Sequence, residues 1–355
     1  MSTANSRIQK IGKSHLFVDD LDLVIHENAK ILESLGQKTI LIFGGTGFVG
    51  KWLVATLLHS QKVLNIEFEI TIVTRSRTAA EISLNVEDSD KIRFIEHNLD
   101  VGLEEGISPN DIYICGSTPS VPKTGSLNEQ LTLNTSKHTV EAILKSASLA
   151  KFPPRVINLS SGAVLSGYGE QKLVIAESGV LTDPLNYYSK AKIEIEEALT
   201  KADENNAIIL TNAHLFTFAG PHISLLDHFA IGNFMFDSMV NKKITIRGNP
   251  ETTRSYMYPT DLVSVLLRTI VKEDIPYLNV GSDSSITIDN MASKFSDYFG
   301  SIPIEYSEGS HLISHYVPET TILQSKLGVN PSFDLESIIS RWHSWLNVTG
   351  QAQNL

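Results

Sequence analysis

The sequence predicts an α/β fold: a doubly wound, Rossmann-type parallel sheet carrying a smaller C-terminal α/β lobe. Three observations lead there. Aliphatic strand-like runs alternate with helical ones from Thr39 to Ser161, the first run breaks into a glycine turn that opens a helix, and the alternation loosens after Pro221.

Taken in order, residues 1–36 form a polar leader in which "VDDLDLVIHENAKILESLG" has the spacing of a short amphipathic helix ending at Gly36. "TILIF" is a buried strand, and "FVGKWLVATLLHS" carries apolar residues at helical intervals. "FEITIVT", "KIRFIEH" and "DIYICG" are the second, third and fourth strands. A helix follows from about Leu127 to Ala150, and "RVINLSS" is the fifth strand. Strand–helix–strand in this rhythm implies parallel pairing. Beyond Pro221, short strands, longer helices and loops form a lobe expected to close over the strand ends. The expected division is a leader at 1–36, a dinucleotide-binding domain at 37–220, and a mainly substrate-binding lobe at 221–355 with some segments returning to the first domain.

With 355 residues, 42% of them apolar and 19% charged, the chain has the make-up of an ordinary globular protein with a large core. A net charge of −11 argues against a broad nucleic-acid or anionic-membrane surface. Cys115 is the only cysteine, so no internal disulfide forms, and a reducing cytoplasm is the expected compartment. No stretch has the apolar length of a signal peptide or a membrane span.

The glycines of "ILIFGGTGFVG" need a reason, because glycine gives up both packing and backbone order. A strand feeding a glycine turn and then a helix presents backbone N–H groups at a positive helix terminus, which suits a pyrophosphate. Gly44 permits the turn, Gly47 lets phosphates approach, and Gly50 lets the helix pack on the sheet. The spacing is G-x-x-G-x-x-G, and a bare structural turn would also use glycine; the strand before and the helix after favour dinucleotide binding. At the end of the second strand, "TIVTRSR" supplies Arg75 and Arg77 and no carboxylate. A guanidinium fork fits a 2′-phosphate, so NADP(H) is expected, with NAD(H) as the alternative cofactor; the plainer alternative for the two arginines is a free, solvated surface pair.

Tyr188 and Lys192 stand four apart on a helical stretch, one turn from each other. A free tyrosine, pKa about 10, is roughly 0.1% ionised at neutral pH, and bringing it near 7 takes about 4 kcal/mol of differential stabilisation. A neighbouring ammonium and an oxidised nicotinamide supply that together, after which the phenol exchanges protons with a substrate hydroxyl or carbonyl. Tyr187 has no lysine four residues on, which selects Tyr188. Ser160 and Ser161 end the fifth strand at the sheet edge, where a serine hydroxyl can bond the reacting oxygen, although the two residues alone read first as a polar passage from strand to loop.

From about residue 38 to 346 the chain resembles the extended short-chain dehydrogenases/reductases, a group of nucleotide-sugar epimerases, dehydratases and reductases. "GGTGFVG" falls on the family's glycine motif, which implies that Gly44, Gly47, Phe48, Val49 and Gly50 line the cofactor. "SSGAVLS" is similar to its serine motif and implies Ser161 as catalytic serine; "YSKAKIEIE" matches Y-x-x-x-K-x-x-x-E through Tyr188, Lys192 and Glu196. The resemblance further implies an active-site-supporting Asn134, a weakened adenine contact at Asn98, and Ser117 and Thr118 on the nicotinamide side with Ser120 towards the substrate. It also implies that Lys192 holds the nicotinamide ribose and that Arg254, in "RSYMYPTDLV", grips a substrate diphosphate. Leu165, Ser166 and His214 depart from the family pattern, the last replacing its usual arginine.

The resemblance implies action on a nucleotide-diphosphate sugar, as a 4-ketosugar reductase or an epimerase, and pairing into a homodimer through the Y-x-x-x-K helix. The competing expectations are a non-catalytic NADP-sensing regulator, which would have no need of Tyr188, and a reductase of small non-nucleotide ketones, which would have no need of Arg254. A 4,6-dehydratase is not expected: Gly162 and Ala163 stand where such enzymes of the family keep an Asp-Glu pair, and the next carboxylate is Glu170. His214, His222 and His228 lack metal-ligand spacing and are expected to be packing or surface residues, with no metal bound.

Overall fold

The computed structural model describes residues 15–86, 90–102, 106–116, 129–165, 174–177, 181–184, 186–227, 229–307 and 312–350, with side chains from residue 18 onward. Ser117, Thr118, Ser120, Glu170 and His228 lie outside the described residues.

The chain opens with α1 (His15–Ser34), β1 (Thr39–Phe43), α2 (Phe48–Leu64), β2 (Glu69–Thr74), α3 (Arg77–Leu84), β3 (Ile92–Glu96) and β4 (Ile112–Cys115). It continues with α4 (Glu129–Ala147), β5 (Arg155–Ser161), α5 (Tyr187–Glu204) and β6 (Ile209–Leu215). Next come α6 (Ala230–Phe236), β7 (Ile244–Ile246), β8 (Thr253–Ser255), α7 (Pro259–Ile270), β9 (Tyr277–Val280) and β10 (Ser285–Thr287). The last elements are α8 (Ile288–Tyr298), β11 (Ile304–Tyr306), β12 (His315–Tyr316), α9 (Thr321–Leu327) and α10 (Leu335–Val348).

Seven strands form one parallel sheet in the order β3-β2-β1-β4-β5-β6-β9. This is the doubly wound Rossmann-type sheet that the alternation predicts. Helices cover both faces, so β1, β4 and β5 are buried almost throughout, which is why their sequences run apolar instead of alternating. The strand order reverses between β1 and β4, and the crevice at their carboxyl ends is where such sheets bind ligands.

One face buries Trp52, Leu53 and Leu57 of α2 with Leu262 and Leu266 of α7; the other buries Tyr113, Ile143 and Leu199 beneath α4 and α5. The leader helix α1 packs on α7 and α2. It sinks Val24, Ile25 and Leu32 into the first face, where each fully buried aliphatic contributes about 1.5–3 kcal/mol. Buried polar groups fix its seating. Asp20 accepts a 2.6 Å hydrogen bond from the Tyr258 hydroxyl and another from Arg341, whose guanidinium lies 5.0 Å from the Phe333 ring centre. Asn28, where the helix kinks, donates to Ser264 at 2.9 Å and accepts from Arg268 at 3.0 Å.

A second core, built around Phe234, Tyr258, Phe295, Trp342 and Trp345, lies in the later part of the chain. Two small sheets accompany it, β10-β8-β12 and β11-β7. The later chain also sends α7 and β9 back to the main sheet, β9 pairing with β6.

Candidate active site

At the switch point, Gly44 adopts φ 83°, a left-handed conformation that L-residues with side chains rarely take, and its carbonyl accepts from the Gly47 amide at 3.0 Å. A β-carbon on Gly50 would lie 2.3 Å from the Gly44 oxygen and 2.6 Å from Gly45, so helix and turn touch backbone to backbone here. Gly47 is the N-cap of α2 and offers no capping side chain. Among the described residues no side chain caps the first amides of α2, and any side chain at position 50 would force the helix away from the glycine turn. This turn and helix start fit a dinucleotide pyrophosphate. Phe48 and Val49, half-buried, form the helix's first turn, with Phe48 6.0 Å from Phe218.

The end of β2 differs from the simple reading of two free arginines. Arg75 is exposed. Arg77 opens α3, a helix absent from the strand-by-strand expectation, and its side chain turns along that helix to Glu81 at 2.7 Å. Its backbone N–H donates at 2.6 Å to Glu96, the last residue of the neighbouring strand β3. A carboxylate thus occupies the α3 N-terminus beside the strand end where the adenosine ribose of a Rossmann cofactor lies.

The catalytic candidates lie at the carboxyl end of β5. Asn186 caps α5, its Oδ1 accepting the Ser189 amide at 2.9 Å while the Ser189 hydroxyl accepts the Asn186 amide at 3.1 Å. This box fixes the first turn, leaving Tyr187 47% exposed and Tyr188 half-buried. Lys192, buried one turn on, lies 5.8 Å from the Tyr188 ring centre and donates to the Leu159 carbonyl at 2.5 Å. Ser161 ends β5; its Oγ accepts from the Ala163 amide at 3.2 Å and lies 3.4 Å from the Tyr316 hydroxyl. Among the described residues Ser161 makes no hydrogen bond to Tyr188. The two stand on adjoining elements, α5 packing against the short turn that follows Ser161.

Tyr316 and Phe216 went unread in the sequence. Their rings stack at 4.6 Å, and the Tyr316 hydroxyl also donates to the Leu215 carbonyl at 3.3 Å. They close the space beside Gly162, where a β-carbon would meet the Phe216 ring at 2.5 Å. Only proximity in the fold brings them to Ser161, so no local signal marks them.

Other sequence candidates sit further out. Asn134, half-buried on α4, accepts from Gln130 at 2.7 Å, and α4 packs along α5. Asn98 accepts the Asp100 amide at 3.2 Å in the turn after β3. Arg254, on β8, donates to the carbonyls of Thr253 at 2.7 Å and Ser314 at 3.1 Å and to the Ser314 hydroxyl at 3.0 Å, so several of its five N–H donors are engaged by neighbouring chain. His214 is buried on β6 at 3.2 Å from Glu196, and burial next to Lys51 holds His222 down to about 3. Burial pushes the Cys115 thiol at the end of β4 up to about 11, which removes it as a nucleophile at neutral pH.

A profile of the NAD dependent epimerase/dehydratase family matches residues 40–281, and the chain belongs to that family. Among curated proteins it is similar to UDP-glucuronic acid decarboxylase 1 of Xenopus tropicalis, 26% identical over 278 residues; the match spans 77% of this chain and 63% of that protein. Among solved structures it is similar to an epimerase from Methanothermobacter thermautotrophicus, with TM-score 0.75, 18% identity and coverage of 93% of this chain and 98% of the other. It is also similar to the UDP-glucuronic acid 4-epimerase of Bacillus cereus, solved with a fluorinated UDP-glucuronic acid and NAD. There the TM-score is 0.72 at 17% identity, over 87% of this chain and 99% of that one. The chain is thus an enzyme of the NAD-dependent epimerase/dehydratase family with that family's Rossmann fold.

Proposed function

We propose that this chain is an NAD(H)-dependent epimerase of a nucleotide-diphosphate sugar, oxidising one ring hydroxyl to a ketone and reducing it again from the other face. The observation that carries the reading is Lys192, buried against Leu159 and 5.8 Å from the Tyr188 ring, with Ser161 at the neighbouring strand end. The nicotinamide, when bound, accepts and returns the hydride. Tyr188 takes the hydroxyl proton as the ketone forms and gives it back on reduction. Lys192 stabilises the phenolate this requires, its ammonium lying beside the Tyr188 ring. Ser161 hydrogen-bonds the reacting oxygen, Asn134 supports α5 from α4, Arg254 meets the diphosphate of the substrate, and Ser120 contributes to substrate binding.

The geometry at α3 supports NAD(H) over the NADP(H) expected from the two arginines. The Glu96 carboxylate takes the amide a 2′-phosphate would use, and Arg77 is committed to Glu81. Exposed Arg75 is what favours the NADP(H)-dependent 4-ketosugar reductase as a second reading.

The decarboxylase relative makes a UDP-linked uronic acid a substrate to test, since a ketone at C4 makes the C6 carboxylate that of a β-keto acid, prone to lose CO2. Elimination of water across C5 and C6 is not proposed: Gly162, shut in by Phe216, and Ala163 supply no acid or base. A homodimer packed through α4 and α5 is the proposed assembly, in a reducing cytoplasm.

Mass spectrometry of small molecules retained by the purified protein, followed by NMR of products from a panel of UDP-hexoses and UDP-glucuronic acid, tests the reading. NAD and an epimerised sugar support it; retained NADP, or a product altered only by net reduction, replaces the epimerase with the reductase.

A further inference from the structure

Behind the catalytic candidates lies a chain of buried polar side chains that proton transfer does not use. Ser160 (1% exposed) donates from Oγ to Oε1 of Glu196 (4%), and Oε2 of the same carboxylate is 3.2 Å from Nε2 of His214 (1%). Ser160 and His214 are register partners on β5 and β6. Glu196 sits on α5 one turn beyond Lys192, and Lys192 donates to Leu159, the residue before Ser160.

Helix α5 therefore grips two successive residues of β5, Leu159 through Lys192 and Ser160 through Glu196, and reaches β6 through His214. Taking a carboxylate out of water costs several kcal/mol, and well-packed apolar side chains would fasten the helix as firmly. What apolar packing lacks is direction: hydrogen bonds fix the helix's rotation and height, which an acid–base site needs to a fraction of an ångström.

We propose that Ser160, Glu196 and His214 are positioning residues that hold the Lys192 ammonium and the Ser161 hydroxyl in register with Tyr188. The proposal rests on the catalytic roles given above for those three. Glutamine at 196 separates geometry from charge. Its amide oxygen can still accept from Ser160, and its NH2 can donate to the unprotonated nitrogen of a neutral His214, whereas alanine does neither.

The test compares the full-length wild type with Glu196→Gln, Glu196→Ala and Ser160→Ala, well below their unfolding temperatures. It measures kcat and KM on a nucleotide sugar the wild type turns over, and NAD(H) affinity by calorimetry. Glu196→Ala is expected to lower kcat by about tenfold or more with KM within about twofold, and to weaken NAD(H) severalfold as Lys192 loses its seat. Glu196→Gln is expected to recover most of both, and Ser160→Ala to fall between. Equal losses in the Gln and Ala variants, or none in either, overturn the proposal. Should Glu196→Ala not fold, Ser160→Ala against Glu196→Gln carries the same comparison. Should the wild type turn over no sugar, the functional reading has failed and the network is judged on NAD(H) affinity alone: loss with restoration by Gln supports it, and no change overturns it.

Discussion

Adding one methyl group at Gly162 should damage both stability and the site. The β-carbon of Gly162→Ala would lie 2.5, 2.6 and 2.8 Å from three atoms of the Phe216 ring, where ordinary contact is about 3.4–4 Å. Phe216 must retreat by roughly 1 Å, and it has little room: it is buried, and its other face is stacked on Tyr316 at 4.6 Å. Overpacking of this kind costs about 1–3 kcal/mol. The displacement does not stop there, because the Tyr316 hydroxyl lies 3.4 Å from Ser161 Oγ and 3.3 Å from the Leu215 carbonyl. Urea unfolding should therefore show Gly162→Ala destabilised by about 1–3 kcal/mol, with turnover reduced in the native protein. In the double variant with Phe216→Leu, the smaller side chain should return part of the stability, giving a favourable coupling of at least about 0.5 kcal/mol. Stability within about 0.5 kcal/mol of wild type for Gly162→Ala alone, or strict additivity in the double variant, would refute the reasoning.

Tyr188→Phe should abolish hydride transfer while NAD(H) affinity stays nearly unchanged, because the phenol is needed only where charge develops on oxygen; stopped-flow spectroscopy and calorimetry read the two effects separately. A loss in Tyr187→Phe instead would show the exposed tyrosine to be the active one. Glu96→Gln should raise the ratio of NADP(H) to NAD(H) affinity by about three- to tenfold, with the effect fading at high salt; an unchanged ratio in calorimetry rules out Glu96 as a selector. His222 is held neutral by burial, its pKa pushed from 6.5 down to about 3. A depressed histidine contributes stability fully present above pH 6.5, lost as pH falls from there towards 3. His222→Asn, tolerable at its φ of 75°, should flatten that loss in urea midpoints measured across the range; an unaltered slope contradicts the assignment.

Much of this architecture is legible locally. The run from Ile40 to Gly50 carries strand, turn and helix in eleven letters, although Gly50 abuts the backbone of the Gly44–Gly45 turn where its spacing suggests packing on the sheet. The choice of Tyr188 over Tyr187 follows from a lysine four residues on, and the helix presents them accordingly. What escapes is set by contacts between distant segments. Glu96 meets Arg77 only because β3 and β2 pair in one register, so the two arginines read as free. Tyr316 reaches Ser161 from 155 residues away. The leader has a recognisable helical pattern, but its docking depends on Tyr258 and Arg341 converging on Asp20 from much later in the chain. Helix α3, at eight residues, is shorter than the window of about 11–18 residues over which a helical period stands out in sequence.

Central to the proposed function is that Tyr188 and its neighbours exchange one hydride and one proton at a single sugar carbon and leave every other carbon of the sugar unchanged. Following a UDP-hexose or UDP-glucuronic acid deuterated at C4, with NAD+ and the purified protein, tests it most directly, with product structure and deuterium position read by NMR. The expected product is a C4 epimer that keeps its deuterium at C4 and acquires no change at C5 or C6. Deuterium delivered to C6 of a 4-keto-6-deoxy sugar, or a product that has lost CO2, would contradict it and assign the chain an elimination or a decarboxylation instead.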